Sequence, residues 1–269
     1  MNSELDAALG FLARIDRALA GELVPLGWGT GVVDRERPLV WDANYVRAER
    51  TTELEAAYLA ETAEPLFAER GVANRMVVVE DEREGKRLAP GFEALGWLPV
   101  HRVVMVLRSQ PVAPQHRVEE LSVAEFRQAR REVGLADPPG DADPATLPAL
   151  LDQLASRGEL VGDAVDERHF AVLAGGRLAA FCELYSRDGI GQVELVTTRP
   201  EYRNRGYGRA IVSAAVAASR DQGDELVFLV ALADDWPRQL YERIGFQPAG
   251  LVHRFCRPAR GQRTSSVPS

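Results

Sequence analysis

Apolar residues recur along the chain with two periods, and the period changes where glycine and proline punctuate it. Leu5, Leu9, Leu12, Ile15 and Leu19 stand at helical spacing, which predicts an amphipathic helix over 5–20 closed by Gly21 and Pro25. Segments 29–35 and 39–48 read as strands split by Arg37-Pro38, with Trp41 and Tyr45 suited to a sheet. Gly27-Trp28-Gly29-Thr30-Gly31 precedes a strand rather than a helix, so it reads as a turn or a bulge. Thr51-Thr52 can cap a helix carrying Leu54, Ala57 and Tyr58, and Pro65 marks a kink or a second start. A β-branched strand at 76–79, a charged loop at 80–87, a short helix at 92–95 and an apolar strand at 103–107 follow.

Residues 109–116 hold Pro111 and Pro114 in a polar setting and make the best domain boundary. Beyond it the pattern predicts a strand at 118–121 and helices at 124–133 and 147–155, with an Asp/Pro-rich loop at 137–144 between them. A hairpin runs through 170–173, Gly175-Gly176 and 178–185, and a turn at 187–189 leads into a buried strand. Ile211, Ala214, Ala215 and Ala218 form the apolar face of a helix stopped by Gly223. Segment 226–232 is wholly apolar, as parallel strands are. A helix at 236–243 ended by Gly245, strand character over 247–255 and a polar tail at 258–269, expected to be disordered, complete the chain.

A length of 269 residues with 46% hydrophobic content suits one large or two modest globular domains. The formal net charge of −8 argues against a nonspecific nucleic-acid binder. Cys182 and Cys256 lie in apolar segments and read as buried free thiols. The four histidines show no metal-ligand spacing, so no metal is expected. Glu4 and Asp6 at the start are unlike a signal peptide, and no run approaches the roughly 18 apolar residues of a membrane helix. A cytoplasmic monomer or homodimer is expected, with no membrane or nucleic-acid partner.

One stretch carries readable chemistry: Val193 to Ala210 predicts a strand, a turn, a glycine-rich loop and the start of an alanine-rich helix. First-turn amides of a helix lack internal acceptors, and the helix dipole adds positive character, so this is a natural seat for phosphate. No Lys follows Gly208, which excludes the P-loop of nucleotide hydrolases. The third glycine of the dinucleotide fingerprint is missing, since Ile211 stands in its place. What remains is Arg203-Asn204-Arg205-Gly206-Tyr207-Gly208, an Arg-x-x-Gly-x-Gly pattern. In its strand and helix setting it resembles the coenzyme A pyrophosphate loop of GNAT-superfamily acetyltransferases. Leu240-Tyr241-Glu242-Arg243-Ile244-Gly245-Phe246 is similar to a second element of that family.

That resemblance, specific over 118–257, implies an acetyl-CoA-dependent N-acetyltransferase with no metal. The acceptor it implies is a primary amine of a small molecule or peptide. It implies that the Val196, Thr197 and Thr198 backbone pairs with the pantetheine arm. Arg203, Asn204, Arg205, Gly206, Tyr207, Gly208 and Arg209 would then hold the pyrophosphate. Tyr241 becomes the candidate acid, although Asp234 stands where many relatives have Asn. Glu194 and Glu183, acids inside apolar strands, are the candidate bases, with Glu194 ranked first. A noncatalytic acetyl-CoA-binding regulatory module shares the loop and is the alternative.

Phe92-Glu93-Ala94-Leu95-Gly96-Trp97 resembles Tyr241-Glu242-Arg243-Ile244-Gly245-Phe246, which points to a tandem: two GNAT-like α/β (α+β) domains, each a mixed, mostly antiparallel sheet flanked by helices. The expected boundaries are 1–108, a linker at 109–117, and 118–257. Nothing before residue 109 matches Arg-x-x-Gly-x-Gly, so the first copy is read as degenerate and without a coenzyme site.

Overall fold

The computed structural model describes residues 3–138, 143–233 and 237–258. They form two compact units that interleave along the sequence. The first, here the N-unit, takes the described residues of Leu12–Val103, of Pro138–Leu160 and from Gly250 onward. The second, the C-unit, takes those up to Phe11, Val104–Asp137 and Val161–Ala249. In chain order the elements are α1 (Ser3–Leu19), β1 (Glu22–Leu26), β2 (Gly29–Val33), β3 (Tyr45–Ala48), α2 (Ala56–Ala68), β4 (Arg75–Val79), α3 (Glu82–Ala94) and β5 (Leu98–Leu107). There follow β6 (Glu119–Leu121), α4 (Val123–Ala136), α5 (Leu147–Ala164), β7 (Asp166–Ala174), β8 (Arg177–Arg187), β9 (Ile190–Thr198), α6 (Tyr207–Asp221), β10 (Leu226–Leu232), α7 (Pro237–Ile244) and β11 (Phe246–Arg257).

In the N-unit, β1, β2 and β3 form an antiparallel meander, β3 pairs β4 in parallel, and β11 pairs β4 antiparallel. Alternation sends Val46, Val77, Val79 and Phe255 to one face, where Leu59, Ala63 and Phe67 of α2 and Leu88 and Phe92 of α3 cover them. Phe92 stacks on Phe255 with ring centroids 4.2 Å apart. Several expectations fail here for identifiable reasons. Pro25 does not merely end a helix but sits in β1, which pairs on one side only and so tolerates a residue without an N–H. Residues 41–43 form a 3-10 turn rather than a strand, fixed by the Asn44 side chain, whose Nδ2 donates to Arg37 O and Val40 O. The helix expected to be capped at Thr51-Thr52 begins at Ala56, and it runs through Pro65 without a second start. The charged segment 80–87 is mostly helix: Asp81 caps α3 by accepting from the Glu84 N–H, and Glu82–Lys86 and Glu84–Arg87 pair along its side.

In the C-unit, β6, β7, β8 and β9 are successively antiparallel and β10 joins β9 in parallel. Helix α4 begins with a Ser122–Glu125 capping box and lays Phe126 and Val133 on Ala171 and Phe181. Helix α6 packs on the opposite face of β7, β8 and β9. Along the sequence one order of elements occurs twice, β3–α2–β4–α3–β5 and β9–α6–β10–α7–β11, each with a parallel first pair. Both cysteines are buried free thiols. No described helix is long and apolar enough to cross a membrane.

Asp224 fastens α6 to the sheet. Its Oδ2, in a buried side chain, accepts from Ser186 Oγ at 2.8 Å, Ser219 Oγ at 2.6 Å and Gln222 Nε2 at 3.1 Å. Gly191 leaves room for this knot, since a Cβ there would lie 2.0 Å from Ser219 Oγ. Asp224→Ala leaves two buried hydroxyls unpaired and is expected to lower stability by about 2–3 kcal/mol, read by urea denaturation. Gly191→Ala should also destabilise, by forcing Ser219 off its bond.

Candidate functional site

Strand β9 carries one residue too many. Thr198 and Thr197 oppose Ala180 and Phe181 of β8, but the next pair is Glu194 opposite Glu183, so Leu195 and Val196 face the single residue Cys182. This β-bulge is completed by Leu195 at φ 50°, a left-handed conformation that costs a non-glycine residue on the order of 1–2 kcal/mol. On its other side β9 pairs with β10 only over Ile190–Val193, against Leu226–Leu229. Residues 194–198 thus run on beyond the parallel ladder, with backbone groups on that side turned to a gap between the two strands.

The gap leads to the loop. A 3-10 turn at Pro200–Tyr202 follows β9, Asn204 adopts φ 61°, and Gly206 caps α6 at φ 80°, a position natural only to glycine. The amides of Tyr207, Gly208 and Arg209 form the first turn of α6 and so lack intrahelical acceptors. Arg203, Asn204 and Arg205 are exposed around them, while Tyr207, Gly208 and Arg209 are half-buried. Arg203 Nε donates to Thr198 O at 3.3 Å, and Arg205 lies over the Tyr202 ring. A Cβ on Gly208 would stand 3.2 Å from Thr198 Oγ1 and 3.5 Å from Leu240 Cδ2, so strand end, helix start and α7 meet at this glycine. Tyr241, next in α7, is buried with its ring 6.4 Å from that of Phe246.

The face of the sheet under α4 is polar. Across three strands, His169 of β7 opposes Glu183 of β8, which opposes Glu194 of β9; two residues further along, on the same face, Tyr185 opposes both Glu167 and Gln192. Glu183 is sealed: Tyr185 donates a short bond to its Oε2, and Arg130 Nη1 lies 3.4 Å from its Oε1. Burial, and then the Glu183 charge, push the Tyr185 phenol far above its usual range, so it stays a donor. Glu194 is half-buried and accepts from Gln192 Nε2 at 2.5 Å. His169 bonds Glu167 at 2.6 Å and stacks on Phe126. Glu167, His169 and Glu183 offer ligand atoms within 4.8 Å of one another, the composition of a cation site. Their bonds run instead to one another, to Tyr185 and to the Arg130 guanidinium.

Residues 136–246 match the family model described as the acetyltransferase (GNAT) family. This segment is a GNAT domain. No curated protein sequence matches the chain. Among solved structures, a functionally unknown conserved protein from Staphylococcus epidermidis superposes with a TM-score of 0.69 at 12% identity, covering 89% of this chain and 94% of that one. A GCN5-related N-acetyltransferase from Kribbella flavida gives 0.65 at 19% identity, over 98% of each chain. A tandem GNAT protein from the clavulanic acid biosynthesis pathway gives 0.56 at 13% identity, over 97% and 96%. At these identities the likeness shows a shared fold, and it extends over both units.

The GNAT domain brings the sequence-predicted residues into two groups. Val196, Thr197, Thr198 and the segment Arg203–Arg209 form a continuous path from gap to helix start, and Glu183 and Glu194 are cross-strand neighbours. Asp234 and part of the 137–144 loop lie outside the described residues. Sequence reasoning missed Arg130, Glu167, His169, Tyr185 and Gln192. The alternation of polar positions within β7, β8 and β9 was the available signal, but the pairing that aligns them is not local. It also missed His116, whose Nε2 would lie 3.2 Å from a Cβ on Gly206 and whose ring meets Tyr207 edge-on at 4.8 Å. Gly206→Ala should therefore cost about 1–2 kcal/mol in urea denaturation of the free protein, from its left-handed backbone and its push on His116.

Proposed function

We propose that the chain is an acetyl-CoA-dependent N-acetyltransferase with one working site, in the C-unit. The carrying observation is the bulge at Leu195, which opens β9 from β10 immediately before the Gly206–Gly208 loop. The residues present fit coenzyme A. Two glycines admit a close approach, first-turn amides and the guanidinium groups of Arg203, Arg205 and Arg209 supply donors, and the freed edge of Val196–Thr198 offers main-chain pairing to an amide-bearing arm. Acetyl-CoA brings the activated acyl group. The amides beside the bulge are placed to polarise its carbonyl.

The acceptor in this reading is a primary amine of a small molecule or peptide, which must lose an ammonium proton before it attacks. Glu194 takes that proton, directly or through water. Its partial exposure supports it over Glu183, which Tyr185 and Arg130 already hold. Glu183 then positions the row by anchoring Tyr185. Tyr241 returns a proton to the departing thiolate.

The N-unit is, in this reading, a degenerate copy, with the repeat boundaries at 1–108 and 118–257. Strand β3 stays paired with β4 to its last residue, Ala48, so no gap opens. The connection to α2 holds Glu49, Glu53 and Glu55 and no glycine, which would repel a phosphate.

Gly206→Glu should abolish acetyl-CoA binding in calorimetry; unchanged affinity would sink the loop assignment. A thiol-release assay over a panel of amines then separates enzyme from binding module, since binding with release on none of them supports the module. Tyr241→Phe and Glu194→Gln should each cut turnover about 100-fold or more with little change in acetyl-CoA affinity. An unaffected rate removes the residue concerned from the mechanism.

A further inference from the structure

Helix α3 lies directly on a histidine. His253 of β11 stands opposite Val79 of β4, on the sheet face that the apolar core covers, two residues before Phe255. Its side chain is buried. Gly85 of α3 presses on the ring: a Cβ there would lie 2.2 Å from His253 Cδ2 and 2.3 Å from its Cγ, so only glycine lets the helix come so close. His101 of β5 meets the ring edge-on at 4.9 Å between centroids, and the Phe255 ring lies 6.4 Å away. Both ring nitrogens of His253 are sealed from solvent and have no hydrogen-bond partner among the described residues.

A neutral imidazole has one N–H and one acceptor nitrogen, so leaving both unpaired is costly even without charge. A proton makes the situation far worse, because a second N–H and a full charge are then enclosed with no acceptor. Burial, and then the neighbouring His101, hold the His253 pKa below its ordinary 6.5; Lys86 acts the same way and Glu82 opposes them. His101 faces the ring from β5 and Glu82 and Lys86 from α3, while β4 presents Val79. Glu82, the first residue of α3, is bound to Lys86 at 2.6 Å in a solvent-exposed pair. Such a pair contributes little, so Glu82 can change partners cheaply. The unfolded chain, with this histidine at its ordinary value, takes up the proton more readily. Stability is therefore whole above pH 6.5 and declines as pH falls below it.

We propose that His253 is an acid-sensitive latch: on protonation the first turns of α3 lift from the sheet, the imidazolium gains the Glu82 carboxylate and water, and Leu88 and Phe92 are uncovered. The proton comes from solvent onto whichever ring nitrogen lacks a hydrogen, and its loss restores the seal. Histidine is the side chain whose ordinary titration falls in this range. The helix can part from the ring locally because Gly85 sends no side chain into the core to hold it there. Leu88 and Phe92 belong to the cluster that α3 closes over β4 and β11, so its lifting turns an apolar face outward. The latch lies wholly within the N-unit and does not depend on the coenzyme reading.

The test is hydrogen exchange of the full chain, read by mass spectrometry at about pH 5.5 and about pH 7.5 and corrected for the intrinsic effect of pH on exchange. Protection across Glu82–Ala94 should fall about tenfold or more at the lower pH, while β7 and β8 of the C-unit keep theirs. His253→Phe keeps an aromatic ring without a titratable nitrogen and should remove the pH dependence of α3. Glu82→Gln, at a half-exposed position, removes the carboxylate that draws the proton in and should move the loss of protection to lower pH; it serves even where His253→Phe does not fold. Equal protection of α3 at both pH values, a pH dependence that survives His253→Phe, a loss spread alike over β7 and β8, or an unshifted response in Glu82→Gln would each overturn the latch.

Discussion

One surplus residue in β9 governs the C-unit. Where Leu195 and Val196 together face Cys182, the ladder slips, and adjacent residues that should point to opposite faces are drawn to the same one. Glu194 keeps its place opposite Glu183, while Leu195 joins the cluster of Phe126, Val133, Ala171 and Phe181. Packing under α4 thus holds a backbone conformation that leucine would not otherwise adopt. Strain kept in this way is found where a structure has something to do with it. The same slip ends the pairing with β10 and frees the strand edge that runs down to Gly206.

The two units share an arrangement of elements but differ where the loop lies. Both have a parallel pair, a helix after its first strand, and a glycine at positive φ after a short helix, Gly96 and Gly245. The described residues of the N-unit show neither the bulge nor the glycine loop, and Phe92 stacks into its core at the place matching Tyr241. Both nonetheless keep a polar face under their leading helix. In the C-unit it is a row of carboxylates, a histidine and a tyrosine; in the N-unit it is arginines gathered about Asp42. The prevailing charge on that face differs between the units while the order of elements does not.

Much of this was legible in the sequence because the responsible forces are local. Glycine and arginine spacing marked the loop, apolar runs marked β4, β8 and β10, and the repeated helix-glycine-aromatic ending marked the tandem. Failures came where local signals mislead or where partners are distant. The charge-rich start of α3 reads as a loop until its ion pairs and the Asp81 cap are seen. Pro65 reads as a break although α2 has packing enough to run through it. The bulge itself has no residue signature, since Leu195 is not glycine. His116 lies in a segment read as linker, and only folding brings it onto Gly206.

The interleaving of the units sets a condition on biosynthesis. Strand β4 of the N-unit pairs with β11 through His253–Arg257, roughly 175 residues further along the sequence at the register Val79–His253. The ribosome must therefore release the chain as far as Arg257 before the N-unit can close its sheet, and contacts so distant in sequence slow the search for the native state. A nascent chain halted after β5 would expose the flank of β4 and the apolar face of α3, a surface suited to chaperones.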